Sequence, residues 1–565
     1  MTFADAAVYT VTVTNTAGAV TSDAARLTAV APQSYPATPP KLPVIPSASF
    51  DVTAYGAIGD GATDNTAAIQ KTIDTAVAAG GGIVVLPAAP KPYLSGPIHL
   101  GGKIEFHLDF GATLQALPYS AEPKPGAYPL EGNRYADFIS ATSVDDIALT
   151  GGGAIMGDGD AWWAAFRTDR GMPHRPFLVR TTNAHRVLIS GLTLLRSPMF
   201  HLALGATDDL TVFGITIRSP GGAPNTDGID PSGSHHLVQN CDIFVGDDDV
   251  VMKPGGTFCS DIMVADCLFG AGHGMSVGGQ SNSGLDGMTV KNCFFNATET
   301  GLRLKADPTE GGDVKNVVYT NLDMRGVAYP IVFYSYYNRV GNPGSTSGNN
   351  EMTPAKAKAW NATPPNSLAT RSMPSWKNIM INQLTSTGTK AWGIMFGLPL
   401  EGYFIDNVKL SNVRITGGPG LKLYNATNVQ FTGDTDITPL VTYNALAITS
   451  QPRNQTVATG ATATFAVTTA GTSGEKETAP TFQWTYNGTP LADGKRDDGA
   501  TISGATTATL KIENAQSANA GKYTVTVSNT LDSYDVAAKA LVPGKTAVSA
   551  TSNPAMLTIG APSNP

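Results

Sequence analysis

Between residues 191 and 324 short apolar stretches recur at a nearly constant interval. Gly191-Leu-Thr-Leu194, Gly214-Ile-Thr-Ile217, Asn240-Cys-Asp-Ile243, Asp266-Cys-Leu-Phe269, Asn292-Cys-Phe-Phe295 and Asn321-Leu-Asp-Met324 begin 23, 26, 26, 26 and 29 residues apart. Each is a few alternating apolar and β-branched residues bounded by Gly, Asn, Asp or Ser, which predicts a strand. A fixed period in the twenties predicts a solenoid. A leucine-rich repeat needs a dense Leu-x-x-Leu-x-Leu pattern, whereas Val, Ile, Thr, Phe and Met share the inward positions here. The pattern therefore predicts an all-β parallel β-helix, with rungs about 4.8 Å apart and residues one repeat apart stacked into columns.

The flanks read differently. Asp64 to Val77 predicts an amphipathic helix stopped by Gly80-Gly81-Gly82, placed to cap the open end of the coil. From about 445 to 560 short alternating strands surround Trp484, and Tyr523 sits where an immunoglobulin-like sandwich has its tyrosine corner. Ala7 to Thr16 nearly repeats Lys522 to Thr530, as if only the last strands of such a module were present. A proline-rich stretch follows (Pro32, Pro36, Pro39, Pro40, Pro43, Pro46), stiff and extended by composition. The expected organisation is a partial immunoglobulin-like module (1–30), a linker (31–49), a β-helix domain (50–440) and an immunoglobulin-like domain (445–562).

Composition narrows the partners. The 565-residue chain carries a formal net charge of −8, which argues against nucleic acid or an anionic membrane as the main partner. No run of 18 or more apolar residues is present, so no membrane span is expected. The chain opens on Met1-Thr2-Phe3 without a signal-peptide pattern; a secreted or cell-surface protein whose signal has been removed, or lies outside this sequence, is the expectation. Cys241, Cys267 and Cys293 recur at intervals of 26, as a stacked buried column of small residues; no disulfide or metal spacing accompanies them.

Four strings carry the chemistry: Asn225-Thr226-Asp227, Gly246-Asp247-Asp248, Gly272-His273-Gly274 and Arg303-Leu304-Lys305. Asp227 to Asp248 is 21 residues, Asp248 to His273 is 25 and His273 to Arg303 is 30, so Asp227, Asp248, His273 and Arg303 are expected on one outer face. Lys305, two residues on, points the same way as Arg303. Carboxylates crowded together repel, and at least one should stay protonated near neutrality. Glycoside hydrolysis needs such a set, one acid for the leaving oxygen and one base for water. By itself Gly-Asp-Asp-Asp would fit a solvated turn or a calcium loop. Arg303 and Lys305 offer a bidentate fork and a point charge for a substrate carboxylate. The other histidines, His99, His107, His174, His185, His201, His235 and His236, read as structural.

From about Phe50 to Thr438 the chain resembles the polygalacturonases of glycoside hydrolase family 28, which are right-handed parallel β-helix enzymes that degrade pectin. The matching strings are Asn225-Thr-Asp-Gly-Ile-Asp230, Gly246-Asp-Asp-Asp-Val-Val-Met-Lys253, Gly272-His-Gly-Met-Ser-Val-Gly278 and Gly301-Leu-Arg-Leu-Lys305, preceded by Gly151 to Trp163. The resemblance implies that Asp247 is the general acid and that Asp227 with Asp248 activates water. It implies that His273 tunes the acid, that Arg303 and Lys305 hold a galacturonate carboxylate, and that Asn225 and Tyr337 contact substrate. Asp249 falls where many relatives have Cys or Asn. The implied partner is a pectic polysaccharide or oligogalacturonide, acted on by a monomer without metal or cofactor. Inversion of the anomeric centre is expected, with acid and base about 6.5–9.5 Å apart.

Other readings compete. A pectate lyase would need calcium and an arginine base, and its motifs are absent. A rhamnogalacturonan hydrolase lacks, by family pattern, the histidine and the Arg-x-Lys pair; a xylogalacturonan hydrolase or a non-catalytic carbohydrate-binding adhesin are further alternatives. Residues 338–376, rich in Gly, Asn and Pro, and Pro118 to Gly132 could wall the two ends of a cleft, which leaves endo versus exo action open.

Overall fold

The computed structural model describes residues 39–119, 128–337 and 373–560, apart from residues 392, 401, 438–439, 444–445, 472–478 and 536–539, together with four short strands between residues 7 and 27. Most of both predicted cleft walls, the first part of the linker and much of the first 30 residues lie outside the described residues. Two compact units make up the chain, one of Met1–Asp249 with Asp261–Leu268, the other of Val250–Ser260 with Phe269–Pro565.

The first unit is built of parallel coils. Val84, Phe106, Leu149, Ile189, Val212 and Val238 stand opposite one another on successive strands and are buried. A second column, Leu114, Ile155, Leu194, Ile217 and Ile243, includes three of the predicted repeats in register. The residues that open the repeats explain the bounding pattern: Gly191, Gly214, Asn240, Asp266, Asn292 and Asn321 all have positive φ, between 52° and 74°. Each coil turns its corner there in the left-handed region, which Gly adopts freely and Asn or Asp tolerate.

Helix α1, Thr66–Ala78, buries Ile69, Thr72, Ile73 and Ala76 against the strands Ser49–Asp51 and Gly82–Leu86 at the start of the coil, as its apolar stripe predicts. A second helix, α2 (Asp160–Thr168), buries Trp162 and Trp163; strand periodicity had not predicted it. Gly159 allows its docking, because a Cβ there would lie 2.7 Å from the Arg196 carbonyl oxygen and the Trp163 ring. The described end of the linker runs along the coil, with the Lys41 and Val44 amides donating to Asp209 and Asp146 at 3.1 and 3.0 Å.

The second unit also begins with parallel coils. Met252, Val277, Leu304, Phe333, Met395 and Leu423 form its inward column, all buried. Asn321 donates to Asn292 at 2.8 Å, an amide ladder along the corner. Beyond the coils a β-sandwich of a six-stranded and a four-stranded sheet closes on Phe465, Trp484 and Tyr523. The Tyr523 hydroxyl donates to the Asn519 carbonyl at 2.7 Å, the tyrosine corner expected from sequence. Leu446–Ser450 pairs with the coil strand Ala426–Thr432 on one side and with Thr468–Gly471 of the sandwich region on the other.

At the other end of the chain, Ala7–Tyr9 pairs with Ala25–Leu27 and Thr12–Asn15 with Gly18–Thr21, both antiparallel. Cys241, Cys267 and Cys293 are buried, as the repeat reading expects, and so is Cys259.

Candidate active site

In the first unit the carboxylates are set by backbone pairing. The Gly228 amide donates to the Asp248 carbonyl at 2.9 Å and the Ile229 amide to the Asp249 carbonyl at 3.1 Å, which holds Asp227 level with Asp248 on the neighbouring rung. The spacing of 21 residues predicted this. Asp227 and Asp248 are 3% and 1% exposed, and Asp249 is fully buried. Thr226 ties the two segments: its hydroxyl donates to the Ala223 carbonyl at 3.0 Å and accepts from the Gly246 amide at 2.9 Å. Only glycine fits at 246, since a Cβ would lie 2.2 Å from the Ala223 carbonyl oxygen.

Asp247 is fixed differently. Its Oδ1 accepts the Asp248 amide at 3.0 Å, and Asn225 Nδ2 lies 3.5 Å from its Oδ2. An oxygen of Asp247 and one of Asp248 lie within 4.8 Å of each other. That is closer than the 6.5–9.5 Å expected between an acid and a lone base in an inverting pair, so the separation anticipated from sequence does not hold for these two. Two carboxylates are a small part of the six to eight oxygens that calcium takes.

Two side chains not singled out by motif support this half. His201 is fully buried beneath Asp227: the Ser197 amide donates to its Nε2 at 3.4 Å, so Nδ1 carries the proton, 3.1 Å from the Asp227 carbonyl oxygen. Burial depresses its pKa to about 4, so the ring stays neutral. Its structural reading holds, with the addition that what it braces is the Asp227 backbone. Arg175 is also buried and donates to Asn225 Oδ1 at 2.8 Å.

The second unit holds the basic residues. Arg303 and Lys305 are each 4% exposed on the strand Thr300–Ala306, on one side of it. The Arg303 guanidinium carbon and the Lys305 Nζ lie 5.9 and 5.2 Å from the Tyr337 ring centroid, so three of the expected substrate contacts converge. Burial raises the pKa of the neighbouring Tyr334, against the opposing pull of Arg303 and Lys305. His273 Nε2 lies 3.0 Å from Glu299 Oε2, a partner the sequence did not suggest. The expected column is offset here: strand pairing sets Arg303 opposite Ser276 and Lys305 opposite Gly278, so Arg303 does not stack on His273. A spacing of 30 exceeds the 27-residue register of this rung.

These placements can be compared with known proteins. Residues 90–358 match the profile of glycosyl hydrolases family 28, and residues 49–89 that of the rhamnogalacturonase A/epimerase, pectate lyase-like group. An endo-polygalacturonase of Pectobacterium parmentieri is 31% identical over 293 residues, covering 48% of this chain and 72% of that protein. The chain belongs to glycosyl hydrolase family 28. A second relative, the endo-polygalacturonase of Pectobacterium carotovorum subsp. carotovorum, is 28% identical over 385 residues, 64% of this chain and 87% of that protein. The chain spans 56–62% of the length of three plant polygalacturonases it also matches.

The fold agrees with this family: the exopolygalacturonase of Thermotoga maritima superposes with a TM-score of 0.52 at 21% identity, covering 72% of this chain and 93% of that one. Residues 446–542 match the immunoglobulin I-set domain. The protein is thus a family-28 glycoside hydrolase on a parallel β-helix with an immunoglobulin-like module. Among the described residues no helix is long and apolar enough to cross a membrane.

Proposed function

We propose that this chain hydrolyses the α-1,4-galacturonosyl linkages of polygalacturonan, with inversion. The observation that carries the reading is the register of Asp227 with Asp248 on neighbouring rungs, with Asp247 beside them. Asp247 gives its proton to the glycosidic oxygen as the bond to the anomeric carbon breaks. Asp227 and Asp248 together take a proton from the water that attacks that carbon. His273, beside Glu299, tunes the acid. Arg303 and Lys305 hold a galacturonate carboxylate, Tyr337 covers the cations, and Asn225 contacts the sugar. Two buried cations on one side of a strand favour an acidic sugar over a neutral one, because both can give charge-assisted hydrogen bonds to a carboxylate. The polygalacturonases among its relatives support the same substrate. The enzyme acts outside the cell or at its surface, as a monomer.

Incubation with polygalacturonate, following reducing ends and oligomer sizes, tests the reading. New reducing ends that disappear in Asp247→Asn are expected. Absence of turnover on polygalacturonate by the folded wild type would overturn it. An early ladder of oligomers would mark endo action, and monomer or dimer alone exo action.

A further inference from the structure

Arg175 is 2% exposed and forms no ion pair among the described residues. Its Nη1 donates to the Pro198 and Pro224 carbonyls at 2.7 and 2.9 Å, and its Nη2 to Asn225 Oδ1 at 2.8 Å. The guanidinium stands 4.1 Å from the centroid of Phe166, on α2. A buried guanidinium held only by neutral acceptors is expensive, which calls for a reason to keep it. The charged groups acting on it are Arg170 and Arg167 from the α2 side, and Asp227 and Asp247 from the carboxylate side.

Arginine has donors and no acceptor. Asn225 must therefore turn its amide oxygen to Arg175 and its N–H donors the other way, where Nδ2 meets Asp247 Oδ2 at 3.5 Å. The backbone suits this post: Asn225 has φ +54°, a conformation that Asn accepts better than most residues. We infer that Arg175 is a positioning residue that locks the Asn225 amide so that an N–H always faces Asp247, stabilising the carboxylate that Asp247 becomes when it gives up its proton. The inference rests on the reading of Asp247 as general acid. Proton donation then leaves an anion beside a donor already in place, with no rotation needed at the moment of reaction. Without Arg175 the amide is free to flip, and its oxygen would favour the protonated acid.

The test is the pH profile of kcat/KM on polygalacturonate for Arg175→Met, Arg175→Lys and Asn225→Gly, with folding checked by thermal melting. In Arg175→Met the limb on the basic side, which reports the acid, should move up by about one pH unit, while kcat falls about tenfold to a hundredfold. Asn225→Gly keeps the backbone conformation and should move the limb the same way, and adding Arg175→Met to it should move the limb by less than Arg175→Met does alone. Arg175→Lys keeps one charge without the fork and should fall between. If Arg175→Met does not fold, the other two variants carry the comparison. Asp247→Asn separates the two claims: full activity there overturns the assignment of Asp247 and this inference with it. An inactive Asp247→Asn beside an unmoved basic limb in the Arg175 and Asn225 variants overturns this inference alone.

Discussion

Lys305 Nζ lies 5.2 Å from the centroid of the Tyr337 ring, and the Arg303 guanidinium faces the same ring at 5.9 Å. An aromatic face is a soft counterweight for a cation, worth about 0.5–2 kcal/mol. Both cations therefore face one ring.

Arg303→Ala or Lys305→Ala should lower kcat/KM on polygalacturonate by about 1.5–3 kcal/mol, the range for a lost charged hydrogen-bond partner, or about ten- to 150-fold. Heavily methyl-esterified pectin should be a poor substrate for the wild type. Equal rates on esterified and free polymer would count against a carboxylate-binding role.

Gly279 bears on the same ring. A Cβ there would lie 2.6 Å from Tyr337 Cε1, so Gly279→Ala must displace the ring, at a strain of about 1–3 kcal/mol. The variant should raise KM for polygalacturonate while Asp247 and its neighbours are untouched. An unchanged KM would show that the ring's position does not matter for binding.

The stability of the coil should depend on pH through buried histidines. His236 is fully buried, donates to the Thr207 carbonyl, and has its pKa lowered by burial from 6.5 to about 4. Below pH 6.5 the unfolded chain takes up a proton that the native ring refuses until about pH 4. The ring's contribution is therefore complete above 6.5 and lost as pH falls toward 4, on the order of 3 kcal/mol. His236→Gln should flatten the decline of Tm across that window relative to the wild type. Parallel curves would mean that His236 is not a source of the acid sensitivity.

The coil was legible because its corners repeat: a left-handed turn at Gly191, Gly214, Asn240, Asp266, Asn292 and Asn321 limits the residue types, and the strands between them keep a period. Asp227 and Asp248 were legible for the same reason, their spacing matching one rung. Arg303 was not, because its strand, Thr300–Ala306, pairs with Met275–Gly279 at a register of 27 residues and not at the 30 that separate it from His273. Arg175, Glu299 and His201 carry no periodic signal; their partners are brought to them by the winding of the chain. Helix α2 was hidden because it is only nine residues long, so that Trp162, Trp163 and Phe166, though on one face, span too short a window for the helix period to stand out.

Removing the immunoglobulin-like module should leave the rate on short oligogalacturonides nearly unchanged, since every proposed catalytic and substrate-binding residue lies between 225 and 337. The cut belongs after Ser450, because Leu446–Ser450 covers the last coil strand. Loss of the sandwich should lower Tm by exposing that end. A folded truncation without activity on soluble oligomers would show that the module completes the cleft.

Inversion requires direct attack on the anomeric carbon by water activated between the carboxylates. Proton NMR of polygalacturonate during the first minutes of digestion reads both the hydrolysis and its stereochemistry. The account predicts that new reducing ends form first as the β-anomer and only later mutarotate. Reducing ends that form first as the α-anomer would mean a covalent intermediate on one of the carboxylates and would contradict it.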